Sequence, residues 1–405
     1  KGQELRTSVN YSAYSKSVEV GFTEPYFMDK NIALGGDIYR RDLNSFRYLT
    51  NNDRDTTYEQ TTTGFQIRAG VPITEYMSLA LRYSLNFDDV TLDRDQFYTD
   101  GQCDPLLAGR YLCDAIGKRT TSSVGYSLIY DTRDNRIRPT RGNNVVLSQD
   151  FAGLGGDVKY IKTRLSASKF WPLGAGFIFS LSGEGGYIHS LEGERRDASG
   201  QEVDKIRLVD RFFLGEPQFR GFDIRGVGPR IVRRYYSATV GDDGVATGEP
   251  ITGRNNRTDD ALGGKIYYLA RAEVQIPLGS AAREMGLRPS IFMDAGAVAG
   301  LKEPGLINGN GQFAGFCNAS GQTQVRAGGT AANPVCPASF GTDYTVSGGF
   351  EEQYLGDTLK PRLSVGFGVN WNSPFGPFRI DIAKALLKEP GDDNKLITFN
   401  VGTQF

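Results

Sequence analysis

Residues 77–87 read MSLALRYSLNF, and apart from Ala80 their side chains alternate between apolar and polar. One face carries Met77, Leu79, Leu81, Tyr83, Leu85 and Phe87. The other face carries Ser78, Arg82, Ser84 and Asn86. A period of two residues is typical of a β-strand whose two faces meet different surroundings. The charged and amide groups on the second face indicate that this face meets water.

The same alternation recurs along the chain, most clearly at 65–71, 161–167 and 363–371. Each such run is close to the ~10 residues that a tilted strand needs to cross a bilayer. Counting them predicts about fourteen strands, near 4–14, 16–24, 31–41, 60–72, 76–88, 119–132, 142–151, 157–171, 176–189, 262–277, 286–298, 362–373, 376–386 and 395–405.

The predicted links between strands differ in length. Short links fall at Ser15, Thr74-Glu75 and 373–375, and long ones at 42–59, 89–118, 190–261 and 299–361. Short turns on one side and long loops on the other are typical of outer-membrane barrels. Lipid offers the backbone no hydrogen-bond partner, so a sheet in a membrane has to close on itself. We therefore predict an all-β fold, a transmembrane antiparallel β-barrel that forms one domain over residues 1–405.

The composition agrees with a barrel and excludes other classes. No stretch approaches the ~18–20 consecutive apolar residues of a membrane-spanning helix. The mean hydropathy of −0.37 hides any apolar face that alternates with a polar one. A net charge of −1 gives no reason to expect a nucleic-acid partner.

The histidine count bears on catalysis. His189 is the single histidine, and no nucleophile motif accompanies it. We therefore predict no catalytic residues, no metal site and no cofactor, and we expect His189 in a loop or at the membrane interface.

The four cysteines form two local pairs in polar segments, Cys103 with Cys113 and Cys317 with Cys336. Neither pair has the CxxC spacing of a zinc or redox site. Four cysteines allow three connectivities, but their proximity favours the local disulfides 103–113 and 317–336. Such bonds suit an oxidising, extracytoplasmic compartment. Free thiols are the alternative.

Several motifs lie in the second half of the chain. The longest loop contains RFFLG at 211–215, FRGF at 219–222 and GP at 228–229. Downstream follow LGGK at 262–265, AEVQIP at 272–277, IFMDAG at 291–296 and WNSPFGP at 371–377. The last predicted strand has an apolar face that includes Ile397, Phe399, Val401 and the final residue, Phe405.

In this order and spacing, the motifs resemble the BamA-type family of outer-membrane protein assembly factors. That family belongs to a wider superfamily with TamA and the two-partner secretion translocators. The FRGF segment resembles the tip of the family's sixth loop, and the terminal strand resembles the C-terminal signal of outer-membrane barrels. The likeness is closest over 205–405 and looser at 23–27 and 130–133.

The resemblance implies a non-enzymatic insertase in the outer membrane of Gram-negative bacteria. It would fold client β-barrel proteins through a lateral seam between the first and last strands. The implied partners are nascent outer-membrane proteins, outer-membrane lipids including lipopolysaccharide, and accessory lipoproteins bound through POTRA domains. Family barrels have sixteen strands, so the resemblance also implies that POTRA domains and two strands precede Lys1.

The resemblance further implies specific site residues. Phe219, Arg220, Gly221 and Phe222 form the loop motif, and its arginine folds back into the lumen of family barrels. Strand parity puts Glu273 and Asp294 on the lumen face as its expected partners. Gly402 sits in the terminal strand, where a glycine permits a kink that would loosen the seam next to Phe405.

Alternatives stay open at this point. Arg220 could be an ordinary solvated loop residue, and Gly402 could simply relieve crowding in the lumen. The competing functions are a related translocation barrel, a passive porin and a barrel enzyme. The FRGF loop argues against a porin, and the scarcity of histidine argues against an enzyme.

Overall fold

The structure is a computed structural model that describes residues 2–12, 15–48, 54–235, 239–240, 246–247, 257–279, 286–309, 314–319, 322–326, 328–330, 333–338, 344–347, 350–373 and 376–401. A fourteen-stranded sheet dominates it, and each strand pairs antiparallel with its neighbours in sequence. The strands are β1 Glu4–Tyr11, β2 Ser15–Glu24, β3 Ala33–Tyr48, β4 Arg54–Pro72, β5 Met77–Thr91, β6 Gly117–Asp131, β7 Gly142–Gly156, β8 Tyr160–Gly174, β9 Phe177–Ser190, β10 Ile266–Gln275, β11 Leu287–Ala299, β12 Arg362–Ser373, β13 Gly376–Leu387 and β14 Ile397–Val401.

All fourteen predicted strands are present, which confirms the predicted fold class. The main difference lies in the hairpin of β3 and β4, which continues well into the predicted loop 42–59. Residues 54–63 are almost entirely polar or threonine, so the apolar alternation disappears there while the β-propensity of threonine remains. Alternation therefore marks the part of a strand between lipid and lumen and misses its extension.

The two faces of the wall differ as the alternation predicts. On β11, Ile291 and Met293 point outward and are 57% and 47% exposed. Ser290 and Asp294 point inward and are fully buried. An outward apolar face suits lipid, while the inward polar groups bond to one another. Across the lumen face, for example, Arg82 on β5 pairs with Asp150 on β7 at 2.6 Å.

Because consecutive strands are antiparallel, the links alternate between two sides of the sheet. One side, the long-loop side, carries the long loop (191–265), the second loop (300–361) and the closing loop (388–396). The link before Ser15, which we expected among the short turns of the opposite side, lies on this side as well. This link follows β1, and in an antiparallel meander every link after an odd-numbered strand lies on the same side, whether it is short or long.

The two end strands differ from the other twelve. In the part of the chain that the structure describes, β1 pairs only with β2, and β14 pairs only with β13. Each therefore has one edge without a strand partner there. The expected closure of the sheet on itself is not formed by the described residues.

The loops carry short elements of their own. Helical turns lie at Phe27–Asp29, Arg94–Phe97, Pro105–Ala108, Arg110–Ala115 and Leu208–Asp210. Short strands lie at Tyr98–Thr99, Gln102–Cys103, Arg195–Arg196, Glu202–Val203, Arg230–Tyr235, Thr239–Val240, Ala246–Thr247, Arg257–Ala261, Asn308–Gly309, Ala314–Ala319, Gln322–Arg326, Gly328–Thr330, Asn333–Val335, Tyr344–Ser347 and Phe350–Leu355. None of the helices in the described ranges is long and apolar enough to cross a membrane.

Two buried apolar clusters lie where loops meet the wall. The first joins long-loop side chains, among them Phe219 and Phe222, to wall residues such as Leu269 and Val298. The second packs the helical turns of 94–115 against Tyr58, Leu208 and Ile231. The apolar core of this protein is thus built mainly by loops inside the long-loop end of the sheet.

Candidate functional site

The FRGF motif lies inside the sheet, against the inner faces of β10 to β13. Phe219 and Phe222 are fully buried, and their ring centres are 4.6 Å apart. They belong to the first apolar cluster, so the two phenylalanines fix the ends of the motif by packing. Arg220, between them, is thereby directed at the wall.

Arg220 meets both carboxylates that strand parity put on the lumen face. Its Nε donates to Asp294 Oδ2 at 2.7 Å, and its Nη2 donates to Asp294 Oδ1 at 2.5 Å. Its Nη1 donates to Glu273 Oε2 at 2.7 Å. Asp294 is fully buried and Arg220 is 7% exposed. A bidentate fork of this kind, screened from water, fixes orientation as well as position.

The main chain of Arg220 is also held. Its N–H donates to Asp294 Oδ2 at 3.3 Å, and its carbonyl accepts from Ser364 Oγ on β12 at 2.6 Å. Burial alone would lower the pKa of Arg220, but the hydrogen bond and charge of Asp294, together with Glu273, raise it above its ordinary value. The guanidinium therefore stays charged at any physiological pH.

Gly221 permits the close approach of the loop to the wall. Its φ is +86°, a left-handed conformation that side chains other than glycine rarely adopt. A Cβ at this position would lie 2.9 Å from Ser364 Cβ and 3.3 Å from Ala383 Cβ. The motif thus needs glycine for both conformation and space.

A second arginine extends the charge network toward the end of the sheet. Arg379 on β13 lies 3.4 Å from Glu273 Oε2 through its Nη2 and 2.8 Å from Asp381 Oδ2 through its Nε. Charges of alternating sign thus follow one another along the inner wall, in the order Asp294, Arg220, Glu273, Arg379 and Asp381. On the short-turn side of this network lies a cavity of about 940 Å³ whose lining includes Arg220, Glu273 and Arg379.

The remaining predicted residues fall at separate places. Cys103 is bonded to Cys113 and Cys317 to Cys336, with S–S distances of 2.00 and 2.12 Å, and both bonds lie in loops of the long-loop side. His189 is exposed on the outward face, 6.5 Å from Tyr187 between ring centres. Gly402 and Phe405 lie outside the described residues.

Four residues in or beside this site were not predicted. Ser364 and Arg379 lie on predicted strands with the correct parity. Nothing local marks Ser364 as a partner of Arg220, or Arg379 as a partner of Glu273, because each pair is more than a hundred residues apart in the sequence. Asp392-Asp393, in the closing loop, forms buried ion pairs. Its only signal in the sequence is two adjacent carboxylates in a short link, a pattern that is usually solvated.

A meander of membrane-spanning strands with an ion-paired loop in its lumen defines a β-barrel protein of the outer-membrane class. The whole chain, residues 1–405, matches the family model of the Omp85 superfamily domain. The chain therefore belongs to the Omp85 superfamily, and it is a β-barrel protein of a bacterial outer membrane. The family resemblance and the location predicted from the sequence are confirmed.

Individual relatives agree. The chain is 27% identical over 403 residues to the outer membrane protein assembly factor BamA of Neorickettsia risticii, covering 99% of this chain and 41% of the relative. It is 25% identical to BamA of Neisseria meningitidis, covering 100% of this chain and 43% of the relative. The chain thus spans about two fifths of the length of these relatives.

Among solved structures, BamA from Haemophilus ducreyi lacking POTRA domains 1–3 superposes with a TM-score of 0.62. The identity is 21%, and the match covers 98% of this chain and 64% of that one. This likeness concerns the fold.

Proposed function

We propose that this chain is the barrel of an outer-membrane insertase, which folds and inserts client β-barrel proteins without covalent chemistry. The observation that carries the proposal is the FRGF loop anchored in the lumen by Arg220, Glu273 and Asp294. The relatives support the same function, because the outer membrane protein assembly factors BamA of Neorickettsia risticii and Neisseria meningitidis align with 99% and 100% of this chain.

The end strands support a lateral seam as the working surface. An edge strand without a partner can pair with an incoming strand through backbone hydrogen bonds. In the described residues, β14 has such an edge and only a five-residue ladder with β13. Clients would add their strands there, between the first and last strands of the barrel.

The proposed partners follow from this activity. They are unfolded outer-membrane proteins, the surrounding lipids including lipopolysaccharide, and accessory lipoproteins that bind POTRA domains. The position of POTRA domains and two further strands before Lys1 stays a prediction, as does the single barrel domain over 1–405.

Site-specific photocrosslinking tests the seam. A photoreactive phenylalanine analogue replaces Phe399 on β14 in one variant and Leu165 on β8 in another. Both side chains face outward and are similarly exposed, at 57% and 50%, so they form a matched pair. During folding of an urea-unfolded client into proteoliposomes, we expect client adducts at 399 and lipid adducts alone at 165. Equal client adducts at both positions would count against the seam.

The same vesicles separate insertion from translocation. An insertase leaves the client as a heat-modifiable, folded barrel in the vesicle membrane. A translocation barrel delivers a soluble client to the vesicle interior, where external protease cannot reach it. The second result would assign the chain to the related translocators.

A further inference from the structure

The closing loop joins β13 to β14 and lies alongside the FRGF motif. The N–H of Asp223 donates to the carbonyl of Asp393 at 2.9 Å, and the N–H of Lys395 donates to the carbonyl of Gly221 at 3.1 Å. The residues between them form an antiparallel bridge. The motif and the closing loop therefore form a short two-stranded ladder.

Two glycines allow the two segments to come this close. A Cβ on Gly226 would lie 2.4 Å from the carbonyl oxygen of Asp393. Gly391, with φ at +94°, would place a Cβ 2.9 Å from the Arg230 side chain. Any larger residue at either position would push the closing loop away from the long loop.

Buried ion pairs hold the closing loop from its other side. Asp392 Oδ2 accepts from Arg362 Nε at 2.9 Å, and both side chains are fully buried. Asp393 Oδ2 lies 3.1 Å from Arg230 Nη1, and Arg230 is 2% exposed. Removing one partner of such a pair leaves the other charge buried without a counter-charge, so breaking either contact costs several kilocalories per mole of stability.

An ion pair at the end of the closing loop completes the attachment. Lys395 Nζ lies 2.7 Å from Glu216 Oε2, and Glu216 belongs to the long loop just before the FRGF motif. Lys395 also lies 3.8 Å from Asp223. The closing loop is thus tied to residues on both sides of Arg220.

The last strand begins two residues after Lys395. The carbonyl of Leu396 accepts from the N–H of Ala383 at 2.9 Å, and among the residues described, which end at Val401, the β13–β14 ladder has five residue pairs. In the described part of the chain, β14 has no strand on its other side. Its attachment at the long-loop end therefore depends on the closing loop.

We propose that Asp392, Asp393 and Lys395 are positioning residues that couple the seating of Arg220 in the lumen to the placement of β14. When the FRGF segment leaves the wall, the ladder with the closing loop is lost and the first residues of β14 are released. The functional meaning of this coupling rests on the proposed insertase, in which β14 meets the client. The coupling itself is a property of this chain alone.

Charge reversal with rescue tests the coupling. We would compare Lys395→Glu, Glu216→Lys and the double variant by hydrogen–deuterium exchange of the whole protein in lipid nanodiscs. Each single reversal is expected to speed exchange at 397–401 by roughly fivefold, the scale of a partly buried ion pair. The double variant restores an ion pair between positions 216 and 395 but leaves a carboxylate beside Asp223, so its exchange is expected to be slower than in either single variant and within about threefold of the parent.

A second variant addresses transmission from the lumen. The Arg220 side chain bonds to β10 and β11, and Arg220→Ala is nevertheless expected to speed exchange at 397–401. Asp393→Asn, a milder change, is expected to have the same direction of effect. Heat-modifiability on gels checks that each variant still forms the barrel.

Lys302→Glu serves as the control. It breaks another lysine–glutamate pair on the long-loop side, in which Lys302 lies 2.5 Å from Glu202. It is expected to leave exchange at 397–401 unchanged. The proposal is overturned if single reversals speed exchange only at 221–228, or if Arg220→Ala leaves β14 fully protected. No client protein takes part in the exchange experiment. A protein without insertase activity would therefore contradict the proposed function and leave the test of the coupling unaffected.

Discussion

The guanidinium carbon of Arg220 lies 3.4 Å from the centre of the Phe292 ring, which is itself only 2% exposed. The flat group thus stacks on an aromatic face while its edges bond to Asp294 and Glu273. Stacking and forked bonding together require a planar cation, which lysine does not provide.

Arg220→Lys is therefore expected to behave more like Arg220→Ala than like the parent. Loss of one partner of a buried pair costs about 3–5 kcal/mol, and we expect Arg220→Ala to lower the stability of the loop attachment on that scale. Limited proteolysis of the long loop under increasing urea measures it. Lysine retaining full protection would contradict the stacking argument.

Gly221→Ala tests the close approach to the wall. The positive φ costs about 1–2 kcal/mol for alanine, and the added Cβ also meets Ser364. We expect the FRGF segment to lose protection from hydrogen exchange. Gly193→Ala is the control, since a Cβ there meets nothing within 4 Å. Equal protection of the FRGF segment in both variants would show that Gly221 is not needed for space.

The turn at 132–141 gives a pH prediction. Hydrogen bonds from Thr140, through its hydroxyl and N–H, and from the N–H of Arg141 hold the pKa of Asp134 well below its ordinary value of 3.8. A depressed carboxyl pKa means that its contribution to the turn is complete above that ordinary value and is lost as pH falls through the lower, folded value.

The amide chemical shifts of Thr140 and Arg141 should therefore titrate with a midpoint below 3.8, and Asp134→Ala should abolish the transition. A midpoint at or above that value would remove the basis for this assignment.

The disulfide between Cys103 and Cys113 gives a prediction about the loops. It closes a segment of helical turns packed in the second apolar cluster. Replacing both cysteines with serine should destabilise this segment by about 2–4 kcal/mol and speed its proteolysis. The barrel should keep its heat-modifiability, since all four cysteines lie outside the wall. The Cys317→Ser/Cys336→Ser variant is the comparison. Because Gln324, between these two cysteines, pairs with Thr99, it should speed cleavage at 92–116 to a smaller extent than loss of the Cys103–Cys113 bond does.

The wall was predictable because each of its residues meets either lipid or lumen, and that choice appears directly as alternation in the sequence. The stretch 77–87 lies within β5 as the pattern requires. The extension of β3 and β4 was missed because residues 54–63 are mostly polar or threonine and show no apolar alternation.

The site was predictable only in part. Arg220, Glu273 and Asp294 came from a family resemblance combined with parity, and the structure brings the three together. Arg230 and Asp393 gave no signal, because the two are 163 residues apart and a buried arginine looks like a solvated one in a single sequence. Pairings between loops depend on how the whole sheet brings distant loops together, which local sequence does not encode.

Arg225, five residues after Arg220, donates from Nη1 to the hydroxyl of Tyr58 on β4 at 2.8 Å. Arg220 bonds to Asp294 on β11, which is seven positions from β4 in the strand order. Residues 220–225 therefore connect two distant parts of the wall from inside the barrel. Lateral pressure from the bilayer that changes the distance between β4 and β11 acts on both of these bonds. The shape of the barrel and the position of the long loop inside it therefore vary together.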